Sequence, residues 1–322
     1  MRAVKVAVTP EQAERWTRCL FGLTGKATAL PGDTDRNFLL DGGPDGRWVL
    51  KVAPVGACRA DVECQVEVLR FLASSDVARF LPSVRLSLGG NLLEDVEVEP
   101  GRRCFVRLVR YVEGRPVAAV GDPGAGLRAE VGALLARLDR SLVGFDHPGA
   151  RRKHPWDLAG FLEIQRFRHH VDDEAGARVD EVMARFEQRV APRFRQLRHS
   201  VIHNDANDHN ILVVERSGRF SVSALIDFGD LVHTATVCEL AIASAYQMMA
   251  AHTPSIAADQ LRQAYESRLP LTELEREVLP ILILARLSTT VVMAAQGRSM
   301  DPDDPYLTIS ESAARRLLFE LV

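Results

Sequence analysis

The run Val201-Ile202-His203-Asn204-Asp205-Ala206-Asn207-Asp208-His209-Asn210-Ile211-Leu212-Val213-Val214 gathers reactive polar groups between two apolar stretches. His203, Asp205 and Asn210 stand in the pattern H-x-D-x-x-x-x-N. After a turn at Ser217-Gly218, the apolar stretch Ser221 to Ile226 leads into Asp227-Phe228-Gly229. Those residue types in that order suit phosphoryl transfer. Asp205 is placed to receive and orient an attacking hydroxyl, and Asn210 and Asp227 to hold the metal ions that neutralise phosphate charge. Two adjoining strand ends would bring the carboxylates to one metal cluster. His203 is read as bracing the loop backbone rather than moving protons. Polar residues also fill ordinary hairpin turns. Here, however, three of the chain's five asparagines fall in one loop, which favours the chemical reading.

A second set lies earlier in the chain. Lys51 sits within Val49-Leu50-Lys51-Val52, as a strand lysine that meets α- and β-phosphates does. The chain has only four lysines against 36 arginines, so a lysine kept on an apolar strand is informative. A helix carboxylate normally holds such a lysine. Glu63 and Glu67 are four apart and share a helix face, so either fits as its partner. No G-x-G-x-x-G precedes Lys51. In its place stands Leu30-Pro31-Gly32-Asp33-Thr34-Asp35-Arg36-Asn37-Phe38, where Asp33, Asn37 and the turn amides are the nucleotide-side candidates. An ordinary surface turn fits the same residues.

These groups need elements to hold them. Phe38 to Leu40 and Trp48 to Val52 flank the turn signal Asp41-Gly42-Gly43-Pro44-Asp45-Gly46 and read as a hairpin. Val62, Val66, Leu69 and Ala73 recur at helical spacing, with Asp61 as the expected N-cap. Val84 to Leu88, Glu94 to Val98 and Phe105 to Tyr111 read as strands. From about Gly126 the pattern becomes helical, at Leu127 to Leu138, Trp156 to His169, Asp180 to Arg198 and Thr236 to Ala251. The predicted architecture is α+β: a sheet lobe over residues 1–112, a hinge near 110–116, and a helical lobe over 113–322 with the reactive hairpin embedded in it.

Bulk properties bound the function. A length of 322 residues exceeds what one core usually serves. A net charge of −3 gives no field for gathering nucleic acid or an anionic membrane. Five cysteines without a C-x-x-C pair predict a reducing cytoplasm, and the N-terminus carries no signal-peptide pattern. Ile281 to Ala295 is apolar but interrupted by Arg286, and reads as a buried helix rather than a membrane span.

The combination L-P-G-D-x-D-R-N-F, V-L-K-V, E-x-Q, R-L-V-R-Y-x-E-G, W-D-L, I-H-N-D-A-N-D-H-N-I-L-V and I-D-F-G-D resembles the aminoglycoside phosphotransferase superfamily from about Leu30 onward. Within it the chain looks most like the hydroxylysine kinase group and the kinase domains fused to class III aminotransferases. The resemblance implies a bilobal protein-kinase-like fold, Mg²⁺ with ATP or GTP as phosphoryl donor, and a small hydroxylated amine or amino acid as acceptor. It implies Asp205 as catalytic base, Asn210 and Asp227 as metal ligands, and Lys51 as the phosphate lysine, and it favours Glu63 over Glu67. Aminoglycoside, homoserine and choline-like acceptors are the alternatives within the reaction. A regulatory pseudokinase is the alternative outside it, and the complete set of Lys51, Asp205 and Asp227 counts against that.

Asn204 stands where the wider superfamily commonly has glycine, and Ala206 where it has a bulky residue. A cationic acceptor would need carboxylates near Asp205, because an ammonium without a counter-charge is costly to bind. Asp157, Asp208 and Asp230 are the candidates, with the Trp156 ring face as further support for an ammonium. Each also has a structural reading: Asp208 as a loop cap, Trp156-Asp157 as a helix start. Glu239 would likewise brace the reactive hairpin.

Overall fold

The computed structural model describes residues 7–32, 34–302 and 305–322. It divides into two compact units: Met1–Glu113 with Phe145–Arg152, and Gly114–Gly144 with Lys153–Val322.

The first unit begins with α1 (Pro10–Phe21), a helix the apolar periodicity did not reveal. Its signals are in the sequence nonetheless. Thr9 and Gln12 form a reciprocal capping box, Pro10 occupies the first turn, and Gly22 closes the helix at φ 66°. Six strands follow: β1 (Lys26–Leu30), β2 (Arg36–Asp41), β3 (Arg47–Val52), β4 (Val84–Arg85), β5 (Glu94–Glu99) and β6 (Arg102–Arg110). The order is β1-β2-β3-β6, all antiparallel, with β4 and β5 sharing the far edge of β6. The helix α2 (Arg59–Leu72) lies between β3 and β4 in the chain. Alternation along the strands sends Phe38, Leu40, Leu50, Val52, Val106 and Leu108 to one face, where they pack with Trp16, Phe21 and Leu23.

Two local expectations are corrected here. The cap of α2 is Cys58, and Asp61 lies in its first turn, 3.3 Å from Arg152. The strand at Val84 stops after Arg85, since Leu86 and Leu88 are exposed.

The second unit opens with β7 (Arg115–Pro116) and α3 (Gly124–Leu142), then α4 (Asp173–Arg189). Residues 158–170 form a 3-10 helix capped by Asp157, where the periodicity suggested an α-helix. The embedded β region comprises β8 (His199–Ile202), β9 (Ile211–Arg216), β10 (Arg219–Leu225) and β11 (Val232–Ala235). β9 and β10 are joined by Ser217 at φ 52° and Gly218 at φ 75°, the doubly left-handed pair that matches strand twist. β8 pairs with β11, so the segments before and after the reactive loop are tied side by side. Helices α5 (Val237–Ala250), α6 (Pro254–Glu266), α7 (Glu273–Met300) and α8 (Glu311–Leu321) complete the unit. α7 is longer than its apolar stretch suggested. Its most apolar window has the length and composition of a membrane-crossing helix, yet 89% of that window is buried, so it serves as the core helix.

Candidate functional site

The reactive loop is held from beneath by a buried carboxylate. Glu239, in the first turn of α5, accepts the backbone N–H of His203 at 2.6 Å and that of Asn204 at 3.1 Å. Asn204 adopts φ 67°, a left-handed conformation that asparagine tolerates better than most residues, which accounts for it standing in place of glycine. His203 is fully buried, with its ring edge against Phe228 at 4.6 Å. Its Nδ1 accepts from the Asp205 N–H at 3.3 Å. Its Nε2 lies 3.1 Å from the Ile226 carbonyl, which fixes the tautomer with the proton on Nε2. The ring thus ties the loop to the strand end that carries Asp227.

Asp205 is aimed by two asparagines. Its Oδ1 accepts from Asn207 Nδ2 at 2.9 Å and its Oδ2 from Asn210 Nδ2 at 2.7 Å. The Asn207 Oδ1 takes the N–H of His209 at 2.8 Å and of Asn210 at 2.9 Å. The Asn210 carbonyl accepts from Ile226 at 2.9 Å, so Asn210 and Asp227 sit at adjoining strand ends. Asp227 itself is held at φ 63°, ψ 80°, an uncommon conformation for a residue with a side chain and one that recurs at functional sites. Burial, followed by the charges of Asp230 and Asp227, raises the Asp205 carboxyl well above its usual range, with Arg286 and Asn207 opposing. A buried carboxylate with the charges of Asp230 and Asp227 bearing on it is an environment that a divalent cation relieves. With Asn210 beside them the donors are oxygens, the ligand chemistry of Mg²⁺ rather than of zinc.

Three residues that sequence reading did not place complete this part. Arg286 of α7 is 2% exposed. Its Nη2 lies 3.5 Å from Asp205 Oδ1 and 3.2 Å from the Tyr246 hydroxyl, and its guanidinium stacks 4.6 Å from the Trp156 ring centre. His154, which ends the basic run Arg151-Arg152-Lys153-His154, is largely buried, with Nε2 3.3 Å from Asp230 Oδ1. Burial alone would raise Asp230, but the His154 contact outweighs it and holds the carboxyl below its usual range.

The acceptor-side candidates separate. Asp157 Oδ1 is occupied by the Thr234 hydroxyl at 2.9 Å and the Ala159 N–H at 3.0 Å, a capping arrangement. The Asp208 Oδ1 is buried without a hydrogen-bond partner, and burial raises its carboxyl. The Trp156 ring already stacks with the protein's own cation, Arg286, so its expected ammonium contact is corrected in that respect.

In the first unit, Lys51 points from β3 to the face opposite the α1 core, opposite Asn37 on β2 and Arg107 on β6. Among the contacts described, its carboxylate partner is Asp35, at 3.6 Å. Glu63 pairs with Arg59 at 2.6 Å and Glu67 with Arg70 at 2.6 Å, both along α2, where a Lys51 pairing was expected. Arg107, 1% exposed, bonds Asp35 at 2.6 Å and also Gln65, the glutamine of the E-x-Q motif. Asn37 Nδ2 donates to the Pro31 carbonyl at 3.2 Å and steadies the preceding loop. Asp33 lies outside the described residues.

The model of the phosphotransferase enzyme family matches residues 26–276. The chain is 29% identical to hydroxylysine kinase of Bos taurus, over 95% of this chain and 87% of that one. Among solved structures it is similar to a microcompartment-associated aminopropanol kinase, at TM-score 0.75, 15% identity and 96% coverage of both chains. It is also similar to amicoumacin kinase in complex with AMP-PNP, Ca²⁺ and Ami, at TM-score 0.71 and 13% identity, over 97% of this chain and 94% of that one. The α+β class read from the sequence holds. The sheet lies in the first unit and the helices predominate in the second, in a protein-kinase-like fold.

Proposed function

The chain belongs to the phosphotransferase enzyme family and is a small-molecule kinase; from that premise we propose that it moves the γ-phosphoryl group of ATP or GTP to the hydroxyl of hydroxylysine or a close relative. The observation that carries the proposal is the fixing of Asp205 by Asn207 and Asn210, next to the strained backbone of Asp227.

Asp205 accepts the hydrogen bond of the acceptor hydroxyl, aims its oxygen at phosphorus, and takes the proton as the new bond forms. Its raised proton affinity suits that task, because a base of very low affinity would leave the proton on the hydroxyl. His203 and Glu239 keep the loop in register through the backbone, without touching the reacting atoms. Asn210 and Asp227 would hold Mg²⁺, which supplies charge neutralisation for the phosphates. Lys51 and Arg107 supply fixed positive charge for the remaining phosphate oxygens, with Asn37 on the neighbouring strand beside Lys51. Asp35 holds the two cations until phosphate does. Glu63 and Glu67 remain candidates to steady Lys51 when nucleotide is bound. Asp208 and Asp230 give the acceptor's ammonium group its counter-charge, and Asp157 lends support from its capping position. The same reading places the protein in a reducing cytoplasm, where its five thiols stay free.

A phosphate-transfer screen tests this, with hydroxylated amines and amino acids as acceptors and ATP and GTP in parallel. Hydroxylysine should lead the amino compounds, and N-acetylating the amine should raise its KM strongly. Better turnover of neutral polyols or large aminoglycosides would refute the acceptor assignment while leaving the kinase assignment standing.

A further inference from the structure

A guanidinium carries five N–H donors. That of Arg286 is buried, and little of that capacity is used. Among the described residues its Nε finds no acceptor, and its Nη1 has only the Trp156 carbonyl at 3.4 Å. Nη2 has Asp205 at 3.5 Å and Tyr246 at 3.2 Å. None approaches the roughly 2.7–2.9 Å of a charge-assisted bond to a carboxylate. Elsewhere in the chain arginines do reach such distances, as Arg198 does with Glu275 at 2.5 Å and Arg107 with Asp35 at 2.6 Å. What fixes Arg286 is stacking: the Trp156 ring centre lies 4.6 Å from Cζ and the Tyr246 ring centre 5.4 Å. A flat cation clamped by two rings and weakly hydrogen-bonded is a donor fork prepared for a planar anion.

Its place indicates which anion. Arg286 adjoins Asp205, where the acceptor hydroxyl must lie, and the acidic side chains of Asp227, Asp230 and Asp208 bear on this spot, with His154 paired to Asp230. Those carboxylates suit an ammonium group. A site built for an amine alone would have no use for a cation beside its base, since like charges repel.

We propose that Arg286 binds the carboxylate of the acceptor, so that the enzyme selects hydroxylated amino acids over the corresponding amino alcohols. The inference rests on the hydroxylysine-type reading of the site and adds to it the residue that separates an amino-acid kinase from an aminopropanol- or choline-type one.

The test compares hydroxylysine with its decarboxylated counterpart, which keeps the hydroxyl and both amines, in wild type, Arg286→Lys and Arg286→Gln. Loss of a charge-assisted contact to a carboxylate is worth about 10- to 100-fold. Wild-type kcat/KM should therefore favour the amino acid by about that factor, and the preference should collapse in Arg286→Gln. The ratio is read because any effect of Arg286 on Asp205 is common to both acceptors. Equal loss for both would assign Arg286 to Asp205 or to the transferring phosphate, and would overturn the proposal. Calorimetric binding of lysine and cadaverine, neither of which can be phosphorylated on carbon-bound hydroxyl, gives a second readout independent of turnover. Lysine should bind wild type more tightly, and that advantage should vanish in Arg286→Gln. Equal binding of the two, or none of either, sinks the inference. Arg286→Lys keeps the charge and checks that a loss is not one of folding. If hydroxylated acceptors show no transfer in wild type while lysine still outbinds cadaverine, the function reading fails and the carboxylate site stands.

Discussion

Glu239→Gln should abolish much of the pH dependence of stability between weakly acidic and weakly alkaline conditions. Glu239 is fully buried, and burial raises its carboxyl to about 7 from the 4.5 of a solvated glutamate, against the pull of the two backbone N–H groups and Arg286. The folded protein therefore holds a proton over that interval that the unfolded chain releases. Its stability falls as pH rises from about 4.5 through about 7. At about 1.4 kcal/mol for each tenfold change in proton affinity, the full difference is about 3.5 kcal/mol, on the order of 7–14 °C in Tm for a unit of this size.

Glutamine keeps an oxygen for the His203 and Asn204 amides but cannot ionise. Its variant should match wild type near pH 5 and exceed it by up to about 3.5 kcal/mol near pH 8. Asp139 nearby, raised by burial and by the Glu239 charge and bonded to the Tyr265 hydroxyl at 2.5 Å, should ionise more readily in the variant. That further flattens its profile. Thermal or urea denaturation of both proteins at pH 5 and pH 8 is the assay. Parallel profiles, or a variant that loses ground to wild type as pH rises, would refute the reasoning.

Three further outcomes are expected. Asp205→Asn should keep the fold and nucleotide binding while lowering kcat by at least about 10²-fold, measured by coupled assay beside nucleotide titration; near-normal kcat would remove Asp205 from the base role. Lys51→Ala and Arg107→Met should each raise the KM for nucleotide more than that for acceptor, whereas Glu63→Ala and Glu67→Ala should have smaller effects, since their partners here are Arg59 and Arg70. Equal KM effects on the two substrates would count against the phosphate role. Activity should be lost in excess EDTA and return with Mg²⁺, and Asp227→Ala should shift the Mg²⁺ requirement upward or eliminate turnover; full activity in EDTA would exclude the metal role.

The reactive loop was legible because its members are neighbours in the chain, and the loop's own hydrogen bonds are decided within eight residues. The partners that define its electrostatics were not. Arg286 reaches Asp205 from 81 positions away, and nothing in an apolar helical run marks one arginine as facing a carboxylate. His154 was hidden in a basic run whose neighbours Arg151 and Lys153 do take exposed ion pairs. Asp35 stands in the turn before β2, and no spacing rule links a turn carboxylate to Lys51 on the next strand. Helix α1 differs in kind, since Thr9-Pro10-Glu11-Gln12 is a local helix-start signal independent of apolar periodicity. The catalytic hairpin, by contrast, carried its turn type openly in Ser217-Gly218.

The short segment Phe145–Arg152 is flanked on both sides by residues of the second unit but packs within the first. Gly149 there lies so close to α2 that a side-chain carbon would come within 2.2 Å of the Ala60 carbonyl oxygen. A gene divided once, after Glu113, would therefore put this segment on the wrong fragment and leave α2 without its cover. Circular permutants are better opened at Ser217-Gly218, an exposed two-residue turn between β9 and β10 whose interruption leaves Phe145–Arg152 on the same stretch of chain as the rest of the first unit.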